Sequence, residues 1–452
     1  MRGVTRFADG RALAALAVPL ALTQLAQVAL TTTDTVMMGL LGPGALAAGG
    51  LGLVLFNQLR TMGAGLVTPV ANQVAARGDG PGAADEVREL VRAGLVVATG
   101  AGLAGAALLV GLGQALPWLG QDPAVVRAAR PFLLALAPGL LPCLWFGVLR
   151  QFTVGMRRPQ ALLRITVASI AVNAALNWAL IHGLWGLPRL GLTGIGVATT
   201  LVYGLTFLAL YAAVRRDPAL RPMLSLRLWR ARRDPVLRVL RLGVPVAATY
   251  GSEAGFFTVV ALLMGTFGPA ALAAHTAVNQ LVYLVLQVSI GLSHAASISV
   301  SAQLAQQRVA EAATVARTAM VQGAAVMAVA AVAYLAVPDL VLRPFFGAAD
   351  PALAVAVPLL AVAAVLQFAD CAQNVGVGLL RGLDDTAGGF RVTLVGYWAV
   401  GLPAAWVLGV AAGLGPIGAW LGLLTGLATT AVLLQARFAR GLAERRALAG
   451  VG

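Results

Sequence analysis

Residues 42–48 read GPGALAA and residues 268–274 read GPAALAA, 226 positions apart in a chain of 452. The same offset pairs Leu16, Val18, Pro19 and Thr23 with Leu242, Val244, Pro245 and Thr249. At 227, Pro131 and Gly155 meet Pro358 and Gly382; at 222, Gly191, Leu192, Ile195, Gly196 and Gly204 meet Gly413, Leu414, Ile417, Gly418 and Gly426. Changes in loop length produce such a drift. The chain is an internal duplication, and its composition decides what was duplicated.

Hydrophobic residues make up 59% and charged residues 11%, against roughly 45–50% and 25% in soluble domains. Lipid is therefore the solvent for most of the chain, and lipid admits only helices or closed barrels. Barrel strands would alternate over about 10 residues, whereas the uncharged runs here last about 20 or more, the length a membrane helix needs. These runs predict spans at 12–39, 46–72, 93–116, 131–152, 161–182 and 191–214, then 242–266, 275–300, 316–337, 355–380, 389–411 and 416–436. The expected fold is an all-α integral membrane protein with twelve transmembrane helices in two pseudo-symmetric six-helix lobes, residues 1–225 and 226–452. Six spans per repeat start both halves on the same side, so the pseudo-symmetry axis runs along the membrane normal. Transporters that move two lobes about a central site are built this way.

The net charge of +15 is all arginine on the basic side, 32 residues with no lysine. Position matters more than total. The termini and even-numbered loops, with the span ends bordering them, hold 27 arginines, including Arg77, Arg88, Arg92, Arg157, Arg158 and Arg391; the opposite loops hold Arg127, Arg130, Arg189 and Arg343. Both termini are thus expected in the cytoplasm, of a multi-pass protein of the bacterial inner (plasma) membrane. The first apolar run is too long for a signal-peptide core and reads as a retained span. The nine arginines of 215–241, with Trp229 among them, form either a plain cytoplasmic connector or a basic amphipathic helix on the anionic inner leaflet. No nucleic-acid partner is expected. Cys143 and Cys371 fall inside apolar runs and read as buried small hydrophobes rather than a disulfide framework.

Of 17 acids only Asp34, Glu253 and Asp370 lie inside spans. Each must find a partner, a proton or a water-filled cavity, because a carboxylate at the bilayer centre costs at least about 2.5–3.5 kcal/mol. Glu253 lies 12 residues beyond Arg241 and Asp370 lies 11 before Arg381, so both sit roughly 16–18 Å from the inner boundary at 1.5 Å per residue. Two carboxylates at one depth repel unless a cation or proton intervenes. Their repeat counterparts are Gln27 and Cys143, and that of Asp34 is Val260; the scaffold is duplicated but the charge is not. Asn173 and Asn177 share a face of span 5. With Thr199 of span 6 they can place neutral oxygens beside one carboxylate, which suits a hard monovalent cation. By rise alone, however, Asp34 lies a turn or more further outward than Asn177, a gap that a bend at Pro19 or helix tilt has to close. Arg60 either lines a cavity, pairs with Asp34 or snorkels to an interface. Gln27, Tyr250 and Gln280 join it as candidate cavity or substrate contacts. No His/Cys ligand pattern, nucleotide-binding motif or catalytic set is present, so no metal beyond a monovalent cation, no cofactor and no enzymatic activity is expected.

The run from Val18-Pro19 to Asp34-Thr35-Val36-Met37, the 42–48 motif, and span 2 from Gly63-Ala64-Gly65 through Pro69 to Gln73 resemble the multidrug and toxic compound extrusion (MATE) family. So do Gly291-Leu292-Ser293-His294-Ala295-Ala296 and Gly378-Leu379-Leu380-Arg381-Gly382. Having both Glu253 and Asp370 resembles the NorM-type branch. The resemblance implies a cation-binding cluster at Asp34, Asn173, Asn177 and Thr199, an acidic pair at Glu253 and Asp370, and exchange of Na⁺ or H⁺ for organic, cationic or aromatic compounds by a monomer in the bilayer. It also implies a tyrosine near the span 10 acid. The chain has none between Tyr334 and Tyr397, and Phe368 offers no oxygen, so the C-lobe site is expected to bind a cation weakly or to work by protonation alone. The rival reading is a flippase for an amphiphilic, lipid-linked substrate, which would want several basic groups in its cavity where only Arg60 is available.

Overall fold

The computed structural model describes residues 2–77, 82–119, 122–347 and 350–448; side chains are described from Gly10 onward except Leu119, so the basic stretch 1–9 lies outside them. Helices make up the described fold, and no strand occurs among the described residues. Among the described residues, eleven helices are long and apolar enough to cross a membrane. These are span 1 (Gly10–Leu40), span 3 (Ala83–Trp118), span 4 (Pro123–Gly155), span 5 (Gln160–His182), span 6 (Leu192–Arg216), span 7 (Arg233–Thr266), span 8 (Pro269–Ala305), span 9 (Val309–Ala336), span 10 (Pro351–Gly382), span 11 (Thr386–Ala411) and span 12 (Gly415–Leu448). Span 2 is the 25-residue helix Pro43–Val67, long enough at 1.5 Å per residue to cross a core of about 30 Å. Asn57, Gln58 and Arg60 in its middle lower its mean hydropathy. The expected span 46–72 breaks at Thr68, because Pro69 cannot donate into the helix, and resumes as Pro69–Ala75.

The duplication is visible in backbone detail. Gly42 starts span 2 at φ 107°, ψ 171° and Gly268 starts span 8 at φ 105°, ψ 172°, each followed by a proline at the first helical position. Only glycine adopts that conformation without strain, and proline's fixed φ suits the first turn. Spans 4 and 10 end in matching turns: Arg157 at φ 57° and Asp384 at φ 61°. Arg157 and Arg158 N–H donate to the carbonyls of Val154 and Thr153, as Asp384 and Asp385 N–H donate to those of Arg381 and Leu380. Each turn is then tied to the end of the sixth helix of its half. Arg158 pairs with Asp217 at 2.8 Å, and Asp385 pairs with Arg437 at 2.6 Å. The geometry repeats while the charges are exchanged.

Contacts divide the chain into Leu25–Ala248 and a second unit of Met1–Gln24 with Thr249–Gly452. Span 1 is one continuous helix through Pro19, and its residues up to Gln24 pack with the second unit. There Ala21 backbone fits against Gly291, and Gln322 Nε2 donates to the Gly10 carbonyl at 2.8 Å. The core of the first unit gathers Met38, Phe56, Phe132, Leu133, Leu136 and Ile195. That of the second gathers Phe256, Val260, Met264, Tyr397, Trp420 and Leu423. Cys143 and Cys371 are buried free thiols. Small residues let helices touch: the Gly422 Cα lies so near Ala405 that a Cβ would strike its backbone.

The connector after span 6 is not an amphipathic helix. It forms two short 3₁₀ turns, Arg221–Met223 and Leu228–Arg230, and is strapped to the start of span 3. Buried Arg92 donates to Ser225 Oγ at 3.1 Å and to the Arg230 carbonyl at 3.4 Å, while Arg88 Nε donates to the Pro222 carbonyl at 2.7 Å. The two prolines and the Leu–Arg alternation break the helical period.

Candidate functional site

Three spans bring the N-lobe cluster together. Asn177 Nδ2 donates to Asp34 Oδ1 at 2.8 Å and to Asn173 Oδ1 at 3.1 Å, and Thr199 Oγ1 donates to Asp34 Oδ2 at 2.9 Å. Asp34, Asn173, Asn177 and Thr199 are all at most 2% exposed. The difference in depth inferred from helical rise is closed: Asp34 reaches Asn177 directly. Asn177 Oδ1 and Asn173 Nδ2 have no hydrogen-bond partner among the described residues. A free amide oxygen beside a carboxylate that carries only two donors is a donor set for a monovalent cation or a proton.

Beside this cluster Gln27, Arg60, Phe146, Ser169 and Tyr203 line a cavity. Of the roles open to Arg60, the structure shows the cavity wall, with Nε donating to Asn57 Oδ1 at 3.1 Å. The free space is about 20 Å³, room for about one water molecule and far below the roughly 300–1,000 Å³ of drug-sized sites. In this conformation the cavity is closed to an organic substrate.

In the second unit Asp370 is 4% exposed, and its carboxylate lies within electrostatic reach of Glu253. Asn374 Nδ2 donates to Asp370 Oδ1 at 3.0 Å. Span 11 supplies Tyr397, which is fully buried and donates its hydroxyl to Glu253 Oε1 at 3.2 Å. Its ring stacks on Phe256 at 4.8 Å, and the neighbouring Trp398 Nε1 donates to Ser252 Oγ at 2.8 Å. Adjacent aromatic tips thus hold adjacent residues of span 7. They do so from a π-helical segment, Val395–Gly401, whose wider turn shifts side chains around the helix relative to a regular α-helix. A phenolic oxygen thus reaches Glu253 from span 11, while span 10 itself carries no tyrosine. Gln367, one turn before Asp370, is 1% exposed with neither amide atom partnered among the described residues. Neither residue is singled out by the sequence, although a buried Tyr hydroxyl or Gln amide usually has a partner and marks a polar site.

Tyr250, one turn before Glu253 on span 7, accepts at its hydroxyl from Arg381 Nη1 at 3.3 Å. Arg381 also donates to Ser293 Oγ at 3.4 Å, and Ser293 donates to the Asn374 carbonyl at 2.6 Å. A polar line therefore runs from Asp370 through Asn374 and Ser293 to Arg381 and Tyr250. Gln280 is exposed and belongs to neither cluster.

The MatE family model matches this chain twice, over residues 19–179 and 245–407, the two halves of the duplication. A probable multidrug resistance protein NorM of Pseudomonas aeruginosa is 42% identical over 436 residues, covering 95% of this chain and 88% of that protein. Proteins of the same name from Bradyrhizobium diazoefficiens and Pseudomonas syringae pv. tomato are 39% and 37% identical, covering 95% and 94% of this chain and 93% of each relative. Among solved structures, a MATE protein in the bent conformation superposes with a TM-score of 0.88 at 17% identity, covering 98% of this chain and 97% of that one. A eukaryotic MATE transporter gives 0.83 at 20% identity, covering 98% and 99%. The multi-pass membrane fold, its duplication and its residue signatures converge: the chain belongs to the MatE family, as a NorM-like MATE transporter rather than an enzyme.

Proposed function

We propose that this protein is a cation-coupled antiporter that exports organic, chiefly cationic and aromatic compounds across the bacterial inner membrane, with Na⁺ or H⁺ as the coupling ion. Its termini face the cytoplasm, it works as a monomer in the bilayer, and it needs neither nucleic acid nor a cofactor. The observation that carries this reading is the environment of Asp34: a fully buried carboxylate held by two neutral donors, Asn177 and Thr199, with the unpartnered Asn177 Oδ1 beside it. An ionised carboxylate so placed is poised to take up a cation or proton, and its neutralisation changes which conformation the membrane favours. Glu253, Asp370 and Tyr397 form a second acidic group in the other half. Ion entry from outside would neutralise these acids and favour the state that releases substrate outward. Substrate binding from the cytoplasm would favour ion release. Coupling requires that each ligand distinguish the two states.

The test is ion-driven efflux of an ethidium-type dye from proteoliposomes. Asp34→Asn should abolish the gradient-driven component while the protein still inserts and elutes as a single species. Undiminished efflux by that variant sinks the proposal. Measuring substrate-dependent Na⁺ and H⁺ flux separately identifies the ion.

A further inference from the structure

We propose that residues 183–190, the loop between spans 5 and 6, form an anchor that inserts into the interfacial layer of the outer leaflet, on the arginine-poor side of the protein. The loop is peculiar to the first half. Residues 183–191 join spans 5 and 6, whereas 412–414 suffice to join spans 11 and 12, and it is here that the repeat offset falls from 227 to 222. A fold that closes with the short connection does not need the long one. What the extra length presents is apolar: Leu184, Trp185, Leu187 and Leu190 are all exposed, Trp185 at 77%. The backbone is left-handed at Gly183 (φ 71°), Trp185 (φ 56°) and Gly186 (φ 77°). Glycine adopts this freely, but tryptophan does so against its preference, and the turn holds an indole outside the core.

Depth and continuity select lipid as the occupant. Span 5 is 23 residues long, about 34 Å at 1.5 Å per residue, against a hydrocarbon core of about 30 Å. The loop folds back on the end of that span: Leu184 N–H donates to the Ala179 carbonyl at 3.0 Å, and Leu190 N–H to the Leu180 carbonyl at 2.9 Å. It therefore lies at the edge of the hydrocarbon instead of projecting into water. The bilayer contact of span 5 leads up to it. Val167, Ala171, Val172, Ala175 and Trp178 are exposed on the face opposite Asn173 and Asn177, and such an all-apolar stretch belongs against acyl chains. Trp145, Trp398 and Trp420 donate to partners inside the protein. Trp118, Trp178, Trp185 and Trp406 instead stand exposed at or near the arginine-poor ends of spans 3, 5 and 11. Indoles drawn from three spans and both halves suit a partner that surrounds the molecule, whereas a protein partner would want them on one side. The amphipathic indole settles at headgroup level, and exposed Arg189 in the same loop suits the phosphates.

The experiment places an environment-sensitive, thiol-reactive dye on Trp185→Cys in the full-length protein, reconstituted in phosphatidylcholine vesicles. Cys143 and Cys371 are buried and stay unlabelled in the folded protein. Dye emission should shift to the blue and fall when lipids spin-labelled near the headgroup replace part of the phosphatidylcholine. It should fall less with labels at the chain ends, and resist aqueous iodide several-fold better than the free dye. Strong iodide quenching with no response to spin-labelled lipid overturns the proposal, because the loop is then in water. Strongest quenching by the chain-end labels overturns it too. So does shielding from iodide that disappears when the protein is diluted in lipid, which marks a second copy as the cover. Should Trp185→Cys fail to insert, Leu187→Cys on the same loop gives the same readout and decides alone.

Discussion

Thr199→Val isolates one interaction of the coupling site, because it removes a hydroxyl and keeps the shape. In the wild type that hydroxyl donates to Asp34 Oδ2 at 2.9 Å inside a site at most 2% exposed. A hydrogen bond to a charged acceptor is worth about 1.5–3 kcal/mol, so the ion-free state loses that amount, about 10- to 140-fold in the occupancy equilibrium. If the coupling ion is a proton, the variant should saturate at proportionately lower driving-ion concentration and turn over more slowly, since release becomes the slow step. If it is Na⁺ with Thr199 Oγ1 among its ligands, the shift has the opposite sign. The assay is dye efflux from proteoliposomes against a titrated Na⁺ or H⁺ gradient. An unchanged ion dependence in Thr199→Val refutes the reasoning.

Other substitutions test neighbouring parts of the fold. Tyr397→Phe keeps the stack on Phe256 but strips the donor from Glu253; melting should fall by the equivalent of about 1–2 kcal/mol and ion dependence should change, whereas a purely packing role would move neither. Gly422→Ala drives a Cβ into the Ala405 backbone and should reduce stability by about 1–3 kcal/mol or more, seen as aggregated material in fluorescence-detected size exclusion. Arg92→Gln releases the connector from Ser225 and the Arg230 carbonyl. Trypsin should then cut at Arg221–Arg233 several times faster while dye efflux persists.

The spans were legible because a bilayer imposes one length and one composition, and the charge-free runs obey both. The N-lobe cluster was legible for a related reason: among long apolar helices, four polar side chains have few places to hide. What could not be read was their meeting, since helical rise gives depth along each axis but not the extent of each helix beyond the lipid. Span 2 misled slightly, its break at Thr68 being marked only by Pro69. Tyr397 escaped because an aromatic in an apolar run also reads as core, and because nothing in Val395–Gly401 announces a π-helical turn. The connector's basic character was evident; its strapping to Arg88 and Arg92 depends on carbonyls, which every sequence has.

The exchanged ion pairs at the two matching turns bear on how a duplicated chain assembles. Each half offers the other a near-copy of its own docking surface, an invitation to mispairing while helices enter the membrane one after another. Were the turn after span 4 to dock on the end of span 12, Arg158 would face Arg437; were the turn after span 10 to dock on span 6, Asp385 would face Asp217. Both errors bring like charges together, and only the correct partners attract. The inversion gives two otherwise interchangeable halves separate addresses.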